Sequence, residues 1–148
     1  MTFAFALILI PLLVFISYVD VQKFIIPNIL NVAMFAFGCA WVLTTRREDL
    51  IFQLVSSLCL FLSIYFVKVM FLKVSGRDGI GSGDIKFIGA SGLWISPYSY
   101  PLFICLASGS GLLFLLLFYR HKSSSKLAFG PFLAFSLGLV WLKDLNFL

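Results

Sequence analysis

The stretch IKFIGASGLWIS, residues 85–96, decides how many times this chain crosses a membrane. Its twelve residues are fewer than the roughly 20 that a helix needs to cross a bilayer core of about 30 Å. Five longer apolar segments accompany it, at residues 2–19, 28–44, 51–72, 101–119 and 128–142. If the short segment also crosses, the chain makes six crossings. If it does not, every segment after it reverses direction.

The distribution of Lys and Arg favours six crossings. With the N-terminus outside, six crossings place eight basic residues inside and three outside, whereas omitting the fourth crossing makes the split six to five. The inside residues would be Lys23, Lys68, Lys73, Arg77, Lys86, Arg120, Lys122 and Lys126, and the outside ones Arg46, Arg47 and Lys143. Because cytoplasmic loops carry an excess of Lys and Arg, we predict six transmembrane helices with both termini on the extracytoplasmic side.

The composition agrees with an all-α polytopic membrane protein. Hydrophobic residues make up 61% of the chain and charged residues 11%, and a soluble domain of 148 residues has too little interior to bury so much apolar surface. We expect residues 1–148 to form one integral-membrane domain in contact with the lipid bilayer. Membrane topology accounts for the net charge of +5, and without a basic, aromatic-rich polar surface we expect no nucleic-acid partner.

Two carboxylates, Asp20 and Asp84, differ from the other acidic residues because each lies at the end of an apolar segment. Two complete crossings separate them, so both are predicted at the cytoplasmic face, where ionisable groups tend to face a bundle interior or a wet cavity. If the two are close, they share a proton. One can then act as a base on water while the protonated one polarises a peptide carbonyl. This is aspartic-protease chemistry, which needs no metal. The alternative is a structural role, in which the two aspartates cap helix ends or pair with Lys23 and Lys86.

The residues after Asp20 predict a tight return of the chain. Pro27 followed by Asn28 is typical of a break before a helix start, so residues 20–27 would form a short turn that brings the second helix back beside the first.

The residues before Asp84 include alternating glycines. Gly79, Gly81 and Gly83 permit backbone conformations closed to other residues and the close approach of another chain, although a flexible hinge is an alternative role. Lys86 is either a snorkelling membrane anchor or a charge that biases the carboxylate pair.

Other polar and aromatic residues fit structural roles. We expect Glu48, Asp49 and Asp144 to be solvated loop or tail charges. Three tryptophans lie toward the outer ends of apolar segments, and we expect them to anchor the membrane interface. They are Trp41, Trp94 and Trp141.

Three motifs in this chain resemble those of the type IV prepilin peptidases, which are bacterial inner-membrane aspartic endopeptidases of the GxGD class. Asp20 lies seven residues before Pro27 of an IPN element, and GSGDIK at residues 81–86 matches GxGDxK. The stretch KLAFGPFLAFSLG at residues 126–138 is similar to the family's terminal FGPFLA helix. The motifs occur in the family's order across essentially the whole chain.

The resemblance implies an enzyme that removes the leader of prepilins or pseudopilins at the cytoplasmic membrane boundary, with Asp20 and Asp84 as the catalytic pair. Further residues would bind substrate or shape the site. These are Gly81, Gly83, Lys86, Pro27, Asn28, Gly130 and Pro131.

The chain also departs from the larger members of that family, which carry a cytoplasmic domain with paired CxxC motifs and methylate the new N-terminus. Only residues 20–27 separate the first two apolar segments. We therefore expect no methyltransferase activity, no S-adenosylmethionine, no zinc and no other cofactor.

Two other classes of function stay open. A small transporter could use Asp20 and Asp84 as a proton or cation relay, although such a relay calls for polar groups at mid-span, which are almost absent. A non-catalytic membrane subunit of a pilus or secretion machine would tolerate the loss of either aspartate.

Overall fold

The computed structural model describes residues 2–45, 47–76, 79–118 and 127–145, which form a bundle of α-helices without strands. The helices in these ranges are α1 (Thr2–Lys23), α2 (Asn28–Thr45), α3 (Leu50–Ser75), α4 (Ser82–Ser91), α5 (Tyr100–Phe118) and α6 (Gly130–Leu145). The predicted all-α polytopic class is confirmed. Several charges used to predict the topology lie outside the described residues. They are Arg46, Arg77, Arg120, Lys122 and Lys126.

Within the described residues, four stretches of helix are long and apolar enough to cross a membrane: Phe3–Lys23, Asn28–Thr45, Arg47–Ser75 and Pro97–Leu117. Helix α6 has 16 residues and helix α4 has 10, which correspond to lengths of about 24 Å and about 15 Å. The decisive segment at residues 85–96 is therefore only partly helical. Crossing of the membrane by all six segments stays a prediction.

The turn between α1 and α2 is shorter than the predicted residues 20–27, because α1 continues through Lys23 and includes Asp20. Helix α1 ends where Phe24 adopts a φ of +52°, in the left-handed region that bulky residues rarely enter, and its N–H donates to the Asp20 carbonyl at 2.8 Å. The Pro27 carbonyl then accepts the N–H of Leu30 at 3.1 Å, which starts α2. Four residues, 24–27, reverse the chain.

Helix α4 lies at the centre of the bundle, between α2 and α3 and against α6. The chain after it, residues 92–96, is buried or half-buried but not helical. Irregular backbone at membrane depth is tolerated only where other groups satisfy its polar atoms. Gln53 on α3 does so by donating to the carbonyls of Gly92 at 2.6 Å and Ile95 at 2.7 Å, and the Tyr100 hydroxyl donates to Gly92 at 2.9 Å.

The prediction that the tryptophans anchor the membrane interface is wrong. Trp41, Trp94 and Trp141 are all buried and pack against one another, with ring centroids 5.7–6.5 Å apart. The Trp94 indole N–H donates to the Met34 carbonyl at 3.0 Å. The rings fill the interior next to the point where the chain leaves α4, so they contribute to the core instead of the lipid interface.

The prediction that Asp144 is a solvated tail charge is also wrong. Helix α6 continues through Leu145 and places this carboxylate, which is 7% exposed, against the turn before α5. Its two oxygens accept the Ser96 N–H and the Ser99 hydroxyl, each at 2.7 Å. Asp144 therefore joins the end of α6 to the start of α5.

Candidate active site

Asp20 and Asp84 line the same cavity, which has a volume of about 780 Å³. The two residues come from α1 and from the first turn of α4, and the other walls come from α3, α5, α6 and the turn after α1. Most of the wall is apolar, including Ile64, Ile104 and Leu133. The cavity is thus an apolar chamber into which two carboxylates project.

Asp20 is held by the start of α6. It is 4% exposed, and the Gly130 N–H donates to its Oδ2 at 2.7 Å. The first N–H groups of a helix have no partner within the helix and favour an anion, and the Pro131 that follows suits a first turn because it has no N–H to satisfy. A Cβ on Gly130 would lie 2.7 Å from Oδ2 and 2.9 Å from the Asp20 Cβ. Gly130 and Pro131 therefore form a helix start that fits directly against Asp20.

Asp84 lies in the first turn of α4, where the helix dipole also favours a carboxylate. Its side chain folds back over Gly81, since a Cβ on that glycine would lie 2.8 Å from the Asp84 Oδ2. The glycine before the helix thus provides the space that the carboxylate occupies.

Gly83 brings the GSGDIK motif into contact with the turn that contains the IPN element. A Cβ there would lie 3.1–3.3 Å from the Cβ, carbonyl oxygen and nitrogen of Ile26. The Gly83 carbonyl also accepts the Asn31 amide Nδ2 at 3.3 Å. The close approach predicted at the glycines is made here by the chain's own turn, residues 24–27.

The charges around Asp84 define its electrostatic environment. Burial, and to a smaller extent the charge of Asp20, raise the pKa of Asp84, whereas the Lys68 ammonium lowers it; the net result is a pKa of about 6. In the sequence, Lys68 contributes only to the count of basic residues on each side of the membrane, and its effect on the pKa of Asp84 is not apparent. The available signal was a single lysine within the apolar residues 60–72 of α3.

Lys86 and Asn28 are not part of this cavity. The Lys86 Nζ donates to the Asn28 Oδ1 at 2.8 Å, on the side of α4 that faces α2. Lys86 therefore does not contact the carboxylate pair in this structure. Pro27 contributes by setting the turn, whose neighbouring residue Ile26 lines the cavity.

No metal-binding cluster is found in the part of the chain that the structure describes: no three or more His, Cys, Asp or Glu side chains are grouped so as to hold an ion.

Comparison with known proteins identifies relatives along most of the chain. The prepilin leader peptidase/N-methyltransferase of Aeromonas salmonicida is 28% identical over 141 residues, covering 92% of this chain and 48% of that protein. The protein of the same description from Dickeya chrysanthemi is 31% identical over 140 residues, covering 91% of this chain and 50% of that protein. This chain thus spans about half the length of these curated relatives. No solved structure matches it.

The profile of the type IV leader peptidase family matches residues 7–116. That range includes Asp20, the turn before α2 and the whole of α4, which together form much of the cavity described above. This chain therefore belongs to the type IV leader peptidase family.

Proposed function

We propose that this chain is an aspartic endopeptidase that removes the leader peptide of prepilins or pseudopilins, with Asp20 and Asp84 as its catalytic residues. The observation that carries the proposal is that these two carboxylates, from separate parts of the chain, line one cavity. Membership of the family and the prepilin leader peptidases among its relatives support the substrate class.

The surroundings of the carboxylates suggest a division of roles. Asp84, whose pKa is raised to about 6, keeps its proton to a higher pH than an ordinary aspartate does. Asp20 has one oxygen occupied by the Gly130 N–H, which leaves the other to act on water. We therefore assign Asp20 as the base and Asp84 as the acid.

The proposed reaction follows from these roles. Asp20 takes a proton from water, and the water oxygen attacks the carbonyl carbon of the leader bond while Asp84 donates a hydrogen bond to the carbonyl oxygen. When the resulting tetrahedral intermediate collapses, the C–N bond breaks and the leaving nitrogen takes up the proton that Asp20 removed from the water, which restores the Asp20 carboxylate. The apolar walls suit an extended apolar peptide and limit the access of bulk water.

We further propose that the active site faces the cytoplasm from the inner membrane, and that cleavage is not followed by N-methylation by this chain. The charge distribution supports the orientation. The four-residue turn between α1 and α2 supports the second point, because it leaves no room for a domain between these helices.

Co-expression with a candidate prepilin tests the proposal. Leader removal is measured by mass spectrometry for the wild type, Asp20→Asn and Asp84→Asn, with Asp49→Asn as the control because Asp49 is exposed and outside the cavity. The amide in Asp20→Asn still has an oxygen that can accept the Gly130 N–H, so folding should be preserved. We expect both cavity variants to lose at least about 100-fold in cleavage, and the control to cleave normally. Cleavage that survives in either cavity variant contradicts the proposed mechanism.

A further inference from the structure

A second cavity lies on the opposite side of α4 from the carboxylates. It is a groove of about 630 Å³ between α2, α3 and α4, within the range of about 300–1,000 Å³ typical of ligand sites. Helix α4 presents Asp84 and Ile88 to the first cavity, and Lys86, Gly89 and Ala90 to this groove. The two cavities are therefore separated by a single helix.

The walls of the groove are apolar along most of its length. They are formed by residues of α2 and α3 whose side chains are exposed or half-buried on the outside of these helices. The wall residues are Val32, Phe35, Leu54, Leu58 and Phe61. Because α2 and α3 are both candidate membrane spans, the medium that meets this groove is the bilayer.

Apart from Ser57, whose hydroxyl donates to the Gly89 carbonyl at 2.7 Å, the polar side chains of the groove lie at one end, where α2 begins. The Lys86 ammonium is exposed there and hydrogen-bonded to Asn28, and it provides a positive charge at the level where the chain enters its helix. Such a groove is complementary to a phospholipid, because its cationic end can bind the anionic phosphate and its apolar walls can contact an acyl chain.

Asn31 supplies an independent sign of a missing ligand. Its side chain is 5% exposed and lines the groove. Its Nδ2 donates to the Gly83 carbonyl, so the amide cannot be reversed without losing that bond, and its Oδ1 has no partner among the described residues. Leaving a buried acceptor unpaired costs about 1–3 kcal/mol. A hydrogen-bond donor in the groove would remove that penalty.

We propose that this groove binds one bilayer phospholipid whose headgroup carries a hydrogen-bond donor. An acyl chain lies along the apolar walls, the phosphate meets Lys86, and an ammonium or hydroxyl group of the headgroup donates to the Asn31 Oδ1. Phosphatidylethanolamine and phosphatidylglycerol satisfy these conditions, whereas the choline headgroup has no N–H or O–H to donate. The site lies outside the carboxylate cavity and does not depend on the proposed peptidase activity.

Native mass spectrometry of the full chain in detergent tests this site. The protein is titrated with phosphatidylethanolamine, phosphatidylglycerol and phosphatidylcholine of identical acyl chains, without any prepilin. We expect one bound phospholipid at low lipid excess. The affinity for either donor-bearing headgroup should exceed that for choline by about tenfold, which corresponds to the free energy of one good hydrogen bond.

Matched variants locate the binding. Leu58→Trp fills the groove, while Leu113→Trp places the same side chain on α5 outside it, and the two leucines are 55% and 57% exposed. We expect Leu58→Trp and Lys86→Ala to reduce the bound fraction several-fold, and Leu113→Trp to leave it unchanged.

Three results would overturn the proposal. They are equal binding of the choline lipid, an equal loss in Leu58→Trp and Leu113→Trp, and displacement of the lipid by a second copy of the chain, which would assign the groove to an interface between copies. Since no cleavage is measured, failure here leaves the peptidase proposal unaffected.

Discussion

Single glycines determine how closely the parts of the candidate site pack. Gly130 meets the Asp20 carboxylate, Gly81 lies under the Asp84 carboxylate, and Gly83 meets the backbone of Ile26. In each place a side chain would occupy space that another group already fills. The presence of glycines could be observed in the sequence, but the group that each one meets could not, because these neighbours are brought together only by folding.

Gly130→Ala should impair cleavage without unfolding the chain. The added methyl would lie 2.7 Å from the Asp20 Oδ2, so the carboxylate must move away from the helix start and lose its hydrogen bond. We expect cleavage to fall by at least about tenfold, the equivalent of one hydrogen bond of about 1.4 kcal/mol, as measured by leader removal in detergent.

Gly138→Ala is the control, since it lies on the same helix and its added Cβ would meet only the Leu13 Cδ1 at 3.8 Å. It should cleave normally and be at least as stable, because alanine is favoured over glycine within a helix by roughly 0.5–1 kcal/mol. Equal activity of the two variants would contradict the assigned role of Gly130.

At the level of elements, the short helix α4 depends on the side chains that satisfy the backbone around its end. Ser57 donates to the Gly89 carbonyl at 2.7 Å, and Gln53 donates to those of Gly92 and Ile95. The length of the apolar segment predicted a short helix, but not that the chain after Ser91 would be non-helical. That outcome depends on polar groups of α3, whose positions are set by helix packing.

Gln53→Leu should destabilise the bundle. The substitution removes the hydrogen bond from Gln53 to the buried Ile95 carbonyl, whereas the Gly92 carbonyl still accepts a hydrogen bond from the Tyr100 hydroxyl. One unsatisfied buried group costs about 1–3 kcal/mol, so we expect the melting temperature in detergent to fall by several degrees.

Ser56→Ala provides the comparison, because Ser56 is on the outer side of α3 and donates only to the Phe52 carbonyl of its own helix. Its melting temperature should stay close to that of the wild type. A Gln53→Leu variant as stable as Ser56→Ala would show that the carbonyls do not depend on Gln53.

At the level of the whole molecule, three helices determine the electrostatics of the carboxylate pair. Asp20 comes from α1, Asp84 from α4 and Lys68 from α3. Sequence reasoning considered Lys86, two residues from Asp84, as the charge that biases the pair. A separation of two residues places side chains on different faces of a helix, and the structure directs Lys86 to Asn28.

Lys68→Met should shift the pH dependence of cleavage. The proposed mechanism needs protonated Asp84, so kcat/KM should fall as the pH rises through the pKa of Asp84, about 6 in the free enzyme. Removing the Lys68 charge disfavours the Asp84 anion, raises this pKa and moves the alkaline limb to higher pH.

The shift is measured from kcat/KM profiles between about pH 5 and pH 9, a range that brackets the limb expected from the raised pKa. Lys73→Met, on the same helix and exposed, should reproduce the wild-type profile. An unchanged limb in Lys68→Met, or a shift to lower pH, would contradict the assignment of Asp84 as the proton holder.

The sequence by itself determined the class of fold and the place of the turn between α1 and α2. Long apolar segments predict membrane helices because transfer into a bilayer depends on local composition. Pro27, which has no backbone N–H and disfavours the helical conformation of the residue before it, predicts the break before α2. Composition and spacing also selected Asp20 and Asp84 as the candidate pair. Only the tertiary structure decided that both line one cavity, that Lys68 is the cation whose charge acts on Asp84, and that Asp144 is buried. These outcomes depend on the rotation and packing of helices distant in sequence, which local composition does not specify.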